Sequence, residues 1–151
     1  MKIILATATG VLMMTSATEA APVRPAVEHY GTPMNGGQRL PFSRAVRVGD
    51  TLYLSGAIGR GADGKPPEGI EAQTKATMDD IGATLKLAGL GYDRIFHCTV
   101  FLSDMKNWAD FNKVYVGYFP DGPLPARSAV GVNGLALGAL LEIECQAYAG
   151  K

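Results

Sequence analysis

The sequence predicts a single α+β domain, a mixed β-sheet with two helices packed on one of its faces. Three observations carry that expectation. Short β-rich runs recur at residues 42–58, 94–103 and 127–148, two intervening segments space their apolar residues by three and four, and glycine and proline gather at the joints. With 151 residues, 47% of them hydrophobic, the chain is long enough to fill one core.

Taken in order, residues 21–41 are rich in Pro, Gly and polar residues and read as an arm or loop ahead of a domain at 42–151. Strands follow at 42–48 and 51–58, joined by Gly49-Asp50 as a hairpin turn. The stretch "GRGADGKPPEG" is a loop, and residues 70–87 form the clearest helix, with Met78, Ile81 and Leu85 on one face and Gly89 and Gly91 at its stop. A strand is predicted over 94–103. A second helix starts at Asp104 or Lys106 and runs to Phe119, capped by Ser103 or Asp104, with Trp108, Phe111 and Tyr115 on one side. Asp121-Gly122-Pro123 breaks it, and strands at 127–132 and 140–148 close the order β-β-α-β-α-β-β. In the last strand Leu141, Ile143, Cys145 and Ala147 alternate with Glu142, Glu144, Gln146 and Tyr148. The apolar side belongs under the helices; the Glu142 side meets solvent, a ligand or another subunit.

Residues 1–20 read as a secretory signal peptide. Lys2 is the basic start, residues 3–14 are apolar, and Ala17-Thr18-Glu19-Ala20 is a small-residue end with cleavage after Ala20. The apolar run is shorter than the roughly 20 residues a membrane span requires. The expected location is therefore the periplasm or the exterior. An oxidising compartment permits a disulfide between the two cysteines, Cys98 and Cys145. Each sits in an apolar strand pattern, however, where a lone cysteine serves as a small core residue, and the expectation is two buried thiols.

Other chemistries find little support. Lys+Arg and Asp+Glu both number 14, the net charge is zero, and no basic run exists to hold nucleic acid or an anionic membrane. "GRGADG" formally matches a dinucleotide fingerprint, but Lys65-Pro66-Pro67 stands where a helix should open onto the phosphates. His97 and Cys98 leave opposite faces of one strand and cannot converge on a metal, and His29 lies far off in the arm. Ser55 lacks both a nucleophile elbow and a placed histidine.

Arg127 and Glu142 remain. Arg127 heads a strand that carries no charge from Ser128 to Val132, and Glu142 is the next acidic residue, fifteen positions on. A guanidinium grips a carboxylate through two parallel hydrogen bonds, and a partly buried glutamate can exchange protons near neutrality. On residue types alone, a plain salt bridge between the two is the simpler reading.

Two stretches bear on that choice: "VGDTLYLSGAIG" at 48–59 and "PARSAVGVNGLALGALLEIE" at 125–144. Through them the chain resembles the Rid family, the YjgF-like reactive-intermediate (imine/enamine) deaminases, over residues 41–148. The resemblance implies a chorismate-mutase-like α+β domain, a homotrimer with clefts between subunits, and no cofactor or metal. It implies hydrolysis of 2-imino or enamino acids to 2-oxo acids and ammonia. Carried over by position, Arg127 holds the substrate carboxylate, Glu142 is the catalytic group acting on water, and Ser55 and Gly56 line the cleft. Phe42 stands where many members have a cleft tyrosine, and Ala129 where many have a cysteine. The alternative on the same trimer is a non-catalytic protein that binds small carboxylates or a partner.

Overall fold

A computed structural model describes residues 24–35, 37–120 and 122–151. The expected signal peptide lies outside the described residues. The elements are β1 (Val27–Tyr30), β2 (Met34–Asn35), β3 (Gln38–Arg39), β4 (Ala45–Val48), β5 (Thr51–Leu54), α1 (Ile70–Leu87), β6 (Ile95–Leu102), α2 (Trp108–Tyr115), β7 (Ala126–Gly131) and β8 (Leu141–Tyr148). Six strands form one mixed sheet in the order β1-β4-β5-β8-β6-β7, antiparallel except for the parallel β6–β7 pair; β2 and β3 make a separate small hairpin. Among the described residues, no helix is long and apolar enough to cross a membrane.

The predicted helices and strands are present, most of them with shorter ends, and β7 lies one residue earlier than expected. Helix α1 spans the predicted residues and buries Met78, Ile81 and Leu85 completely or nearly so. Helix α2 is flanked by single 3-10 turns, and the Asp104 side chain caps the first by accepting from the Lys106 N–H at 2.9 Å. Phe111 and Tyr115 are buried, whereas Trp108, in the first turn, stays out. The core is one layer between the helices and the sheet face that carries Leu52, Leu54, Val100, Leu102, Leu141, Ile143 and Ala147.

Two expectations need correcting. The segment 21–41, read as arm or loop, supplies the sheet's outermost strand: Val27–Tyr30 pairs antiparallel with β4 from Val27↔Val48 to Tyr30↔Ala45. An edge strand exposed on both faces carries polar residues on each, so its alternation is lost and the surrounding Pro and Gly dominate the pattern. Cys98 and Cys145, expected as thiols, form a disulfide. Both are buried as expected, but β6 and β8 are adjacent and the register sets Cys98 directly opposite Cys145, with Cα atoms 4.1 Å apart. Alternation gives the face of each cysteine; only strand order gives the partner.

The polar side chains buried on α1 brace the loops around the sheet. Gln73 donates to the Pro67 carbonyl and accepts from the Leu140 N–H, both at 2.8 Å, holding the entry to β8. Thr77 accepts from the Gly59 N–H at 2.8 Å. Gly59 packs so closely on α1 that a Cβ there would lie 2.2 Å from the Thr77 nitrogen. The first glycine of "GRGADG" thus serves strand–helix packing.

Candidate active site

Strand β5 reaches the site through an irregularity. Tyr53 pairs with Gln146, yet the next bridge joins Ala57 to Ile143, so four steps on one strand match three on the other. The extra residue is a β-bulge, which turns Ser55 and Gly56 towards β8. The Ser55 hydroxyl donates to the Ser43 carbonyl at 2.7 Å, and its N–H donates to the Arg44 carbonyl at 3.0 Å. Ser55 therefore holds the bend and is committed to backbone. Gly56 faces Glu142 so closely that a Cβ would sit 2.0 Å from its Oε1. Only glycine leaves room for that carboxylate.

Phe42, Ser55, Gly56 and Glu142 share a cleft of about 450 Å³. Its other walls are chiefly apolar, with Leu40, Ile58, Ile81 and Leu137 among them. Glu142 is partly buried there, and its pKa is raised above the ordinary glutamate value, first by loss of hydration and then by repulsion from Glu144. Among the described residues no side chain hydrogen-bonds to it.

Sequence reasoning missed three groups in this cleft. Arg44 on the segment entering β4 pairs with Asp80 of α1 and donates to the Thr84 hydroxyl at 2.8 and 3.0 Å, tying sheet to helix along one wall. Asp80 and Thr84 are four residues apart on α1, which was a usable signal for a shared face. Arg60 also lines the cleft. Leu137 is the described non-glycine residue at positive φ, 58°, a conformation that marks a constrained wall of the site.

Arg127 is elsewhere. It pairs with Cys98 in the parallel register, so its side chain leaves on the face that carries the disulfide and the helices, whereas Glu142 pairs with Phe101 on the other face. Its guanidinium lies over the rings of Tyr115 and Phe111, 4.7 and 5.2 Å from their centres. Among the described residues it has no carboxylate partner. The simple salt bridge between Arg127 and Glu142 is absent, because one sheet separates them.

The family model described as Endoribonuclease L-PSP matches residues 37–149. The chain belongs to this family, the Rid family. A mouse relative named 2-iminobutanoate/2-iminopropanoate deaminase is 37% identical over 112 residues, covering 73% of this chain and 82% of the relative. Among solved structures, the Yersinia pestis Rid protein YyfA aligns with a TM-score of 0.74 at 36% identity, over 82% of this chain and 99% of that one. E. coli TdcF, solved with bound serine, aligns with a TM-score of 0.68 at 31% identity, over 72% of this chain and 87% of that one. The α+β fold read from the sequence is the Rid fold, and imine deamination is an activity named within the family.

Proposed function

We propose that the chain hydrolyses 2-imino acids to 2-oxo acids and ammonia, in clefts shared between the subunits of a homotrimer. The observation that carries this reading is the division of the two charged groups. Glu142 waits in a formed cleft beside a glycine that makes room for it, while Arg127 stands without an anion among the described residues, on the opposite face of the sheet. One chain cannot direct both at one small substrate, and a neighbouring subunit can. The serine bound to TdcF and the names of the curated relatives agree with a small α-carboxylate ligand.

In the proposed reaction the guanidinium of Arg127 holds the substrate carboxylate through two charge-assisted hydrogen bonds, setting C2 of the C=N bond over the cleft. Glu142 takes a proton from water as the water oxygen bonds to C2 of the protonated imine, and the C=N π pair moves to nitrogen, giving the neutral amino group of the carbinolamine. The protonated Glu142 then gives its proton to the amino group of the carbinolamine. The C–N bond breaks with its electron pair leaving on ammonia, and the C2 hydroxyl returns its proton to the Glu142 carboxylate as the carbonyl forms. One water is consumed, and no electrons are gained or lost. The raised pKa of Glu142 suits both halves of this exchange.

We further propose export, in keeping with the leader-like residues 1–20 and with a disulfide in the fold. The imine would then come from an amino-acid-oxidising reaction in the same compartment. The endoribonuclease named in the family description is not extended to this chain, whose sequence has zero net charge and no basic run. The decisive experiment follows ammonia and oxo-acid release from freshly generated 2-iminopropanoate and 2-iminobutanoate. Release faster than the spontaneous rate, lost in Glu142→Gln, is expected. Tight binding of 2-oxobutanoate without turnover would replace the enzyme with the carboxylate-binding alternative.

A further inference from the structure

The two rings beneath Arg127 belong to α2, an element that periodicity assigns to the core alone. Phe111 and Tyr115 are four residues apart, lie with centroids 5.3 Å apart and ring planes tilted by 38°, and are 0% and 2% exposed. Both present their rings to the guanidinium, which is only partly buried itself. A ring face attracts a flat cation but offers no strong acceptor to its N–H groups. Such a support holds the fork without consuming the hydrogen bonds it needs for a ligand. A carboxylate in that place would have neutralised Arg127 and competed with any substrate. The Tyr115 hydroxyl completes the picture: it is buried, finds no hydrogen-bond partner among the described residues, and burial pushes its pKa up to about 12, so it remains neutral beside the cation.

We propose that Phe111 and Tyr115 are positioning residues for the carboxylate anchor, a buried aromatic platform that fixes the plane of Arg127 and leaves its N–H donors free. The inference rests on the reading of Arg127 given under Proposed function. Its consequence is specific. The platform acts on binding of the carboxylate, which is held alike in ground and transition states, and not on the proton transfers at Glu142. Damage to the rings should therefore raise KM and leave kcat nearly unchanged.

The test uses the full oligomeric protein, 2-oxobutanoate binding by calorimetry, and steady-state kinetics with 2-iminobutanoate. Tyr115→Leu and Phe111→Leu should each weaken binding and raise KM by about threefold to thirtyfold, with kcat within about twofold. Tyr115→Phe keeps the ring and should bind as the wild type does. In an Arg127→Ala background the leucine substitutions should add nothing further. Because leucine in the core can unfold the chain, Phe111 is also replaced by mono-, di- and trifluorinated phenylalanine, which hold its shape while draining the ring face. Affinity should fall stepwise with fluorination. A flat fluorination series, or leucine effects undiminished without Arg127, overturns the platform while leaving the anchor in place. An Arg127→Ala protein with wild-type binding removes the anchor reading itself, and the platform with it.

Discussion

At Glu142, function and stability pull in opposite directions. Hydration lost in the cleft and the charge of Glu144 both disfavour its carboxylate, so the folded pKa lies above the unfolded one. The folded state then binds the proton more readily, and Glu142 costs no stability at low pH. That cost grows as pH rises from the unfolded pKa through the folded one, and stays constant above it. Glu142→Gln should raise the melting temperature at pH 7, with the gain vanishing below the ordinary glutamate range, while activity is lost. Thermal denaturation across pH beside an activity assay checks both signs. In the wild-type enzyme the acid limb of the pH–rate profile should sit above that range, since the reaction needs the ionised carboxylate. Gly56→Ala probes the same contact from the other side. An added methyl would displace the carboxylate by about an ångström, which costs on the order of a hundredfold in kcat. The melting temperature should change little, because the Glu142 side chain can move aside.

The element that most needs holding in place is β8, because it delivers Glu142 and is paired on both edges, by β5 and β6. Gln73 braces its entry and the Cys98–Cys145 disulfide ties it to β6, closing a chain segment 47 residues in separation. A loop of that length predicts stabilisation of about 4 kcal/mol by chain entropy, an upper figure, with 2–4 kcal/mol commonly realised. Cys98→Ala combined with Cys145→Ala should lower unfolding free energy by about 2–4 kcal/mol. Denaturation with and without reductant, alongside an intact-mass measurement of the two missing hydrogens, tests the bond and its worth together. Equal stability of the double variant would show that the bond adds nothing to the fold's stability.

For the whole molecule, the proposed trimer places a partner on the sheet face away from the helices. Val48, Tyr53, Val130 and Tyr148 are each 37–47% exposed there, surface that the proposed trimer would cover. Light scattering should give three times the subunit mass, and a stable monomer at micromolar concentration would defeat the shared cleft. A sharper check mixes two inactive variants, Arg127→Ala and Glu142→Gln, and lets subunits exchange. If each cleft takes its arginine from one chain and its glutamate from the next, roughly a quarter of sites regain both groups and activity returns. If both come from one chain, the mixture stays dead. N-terminal sequencing of protein from its native host addresses export: a mature chain starting near Ala21 is expected, and a product beginning at Met1 would contradict it.

The sequence by itself determined the local periods and hence most of the fold. The spacing of Met78, Ile81 and Leu85 specified α1, and the alternation from Leu141 to Tyr148 specified which side of β8 is core, because those patterns arise from geometry within one element. Through the family resemblance it also pointed to Phe42, Ser55 and Gly56 beside Glu142, and these four line one cleft. Tertiary structure decided what depends on strand neighbours and register. The partner of Cys98, the edge strand at Val27–Tyr30, the bulge that brings Gly56 against Glu142, and the contact of Arg127 with two helix rings all join residues far apart in the chain. Most telling is the separation of Arg127 from Glu142. Fifteen residues of sequence suggest a pair, but β6 lies between β7 and β8, and strand pairing sends the two side chains to opposite faces of the sheet. Alternation within a strand is a local property; which strands lie side by side, and in what register, is set only when the whole core packs.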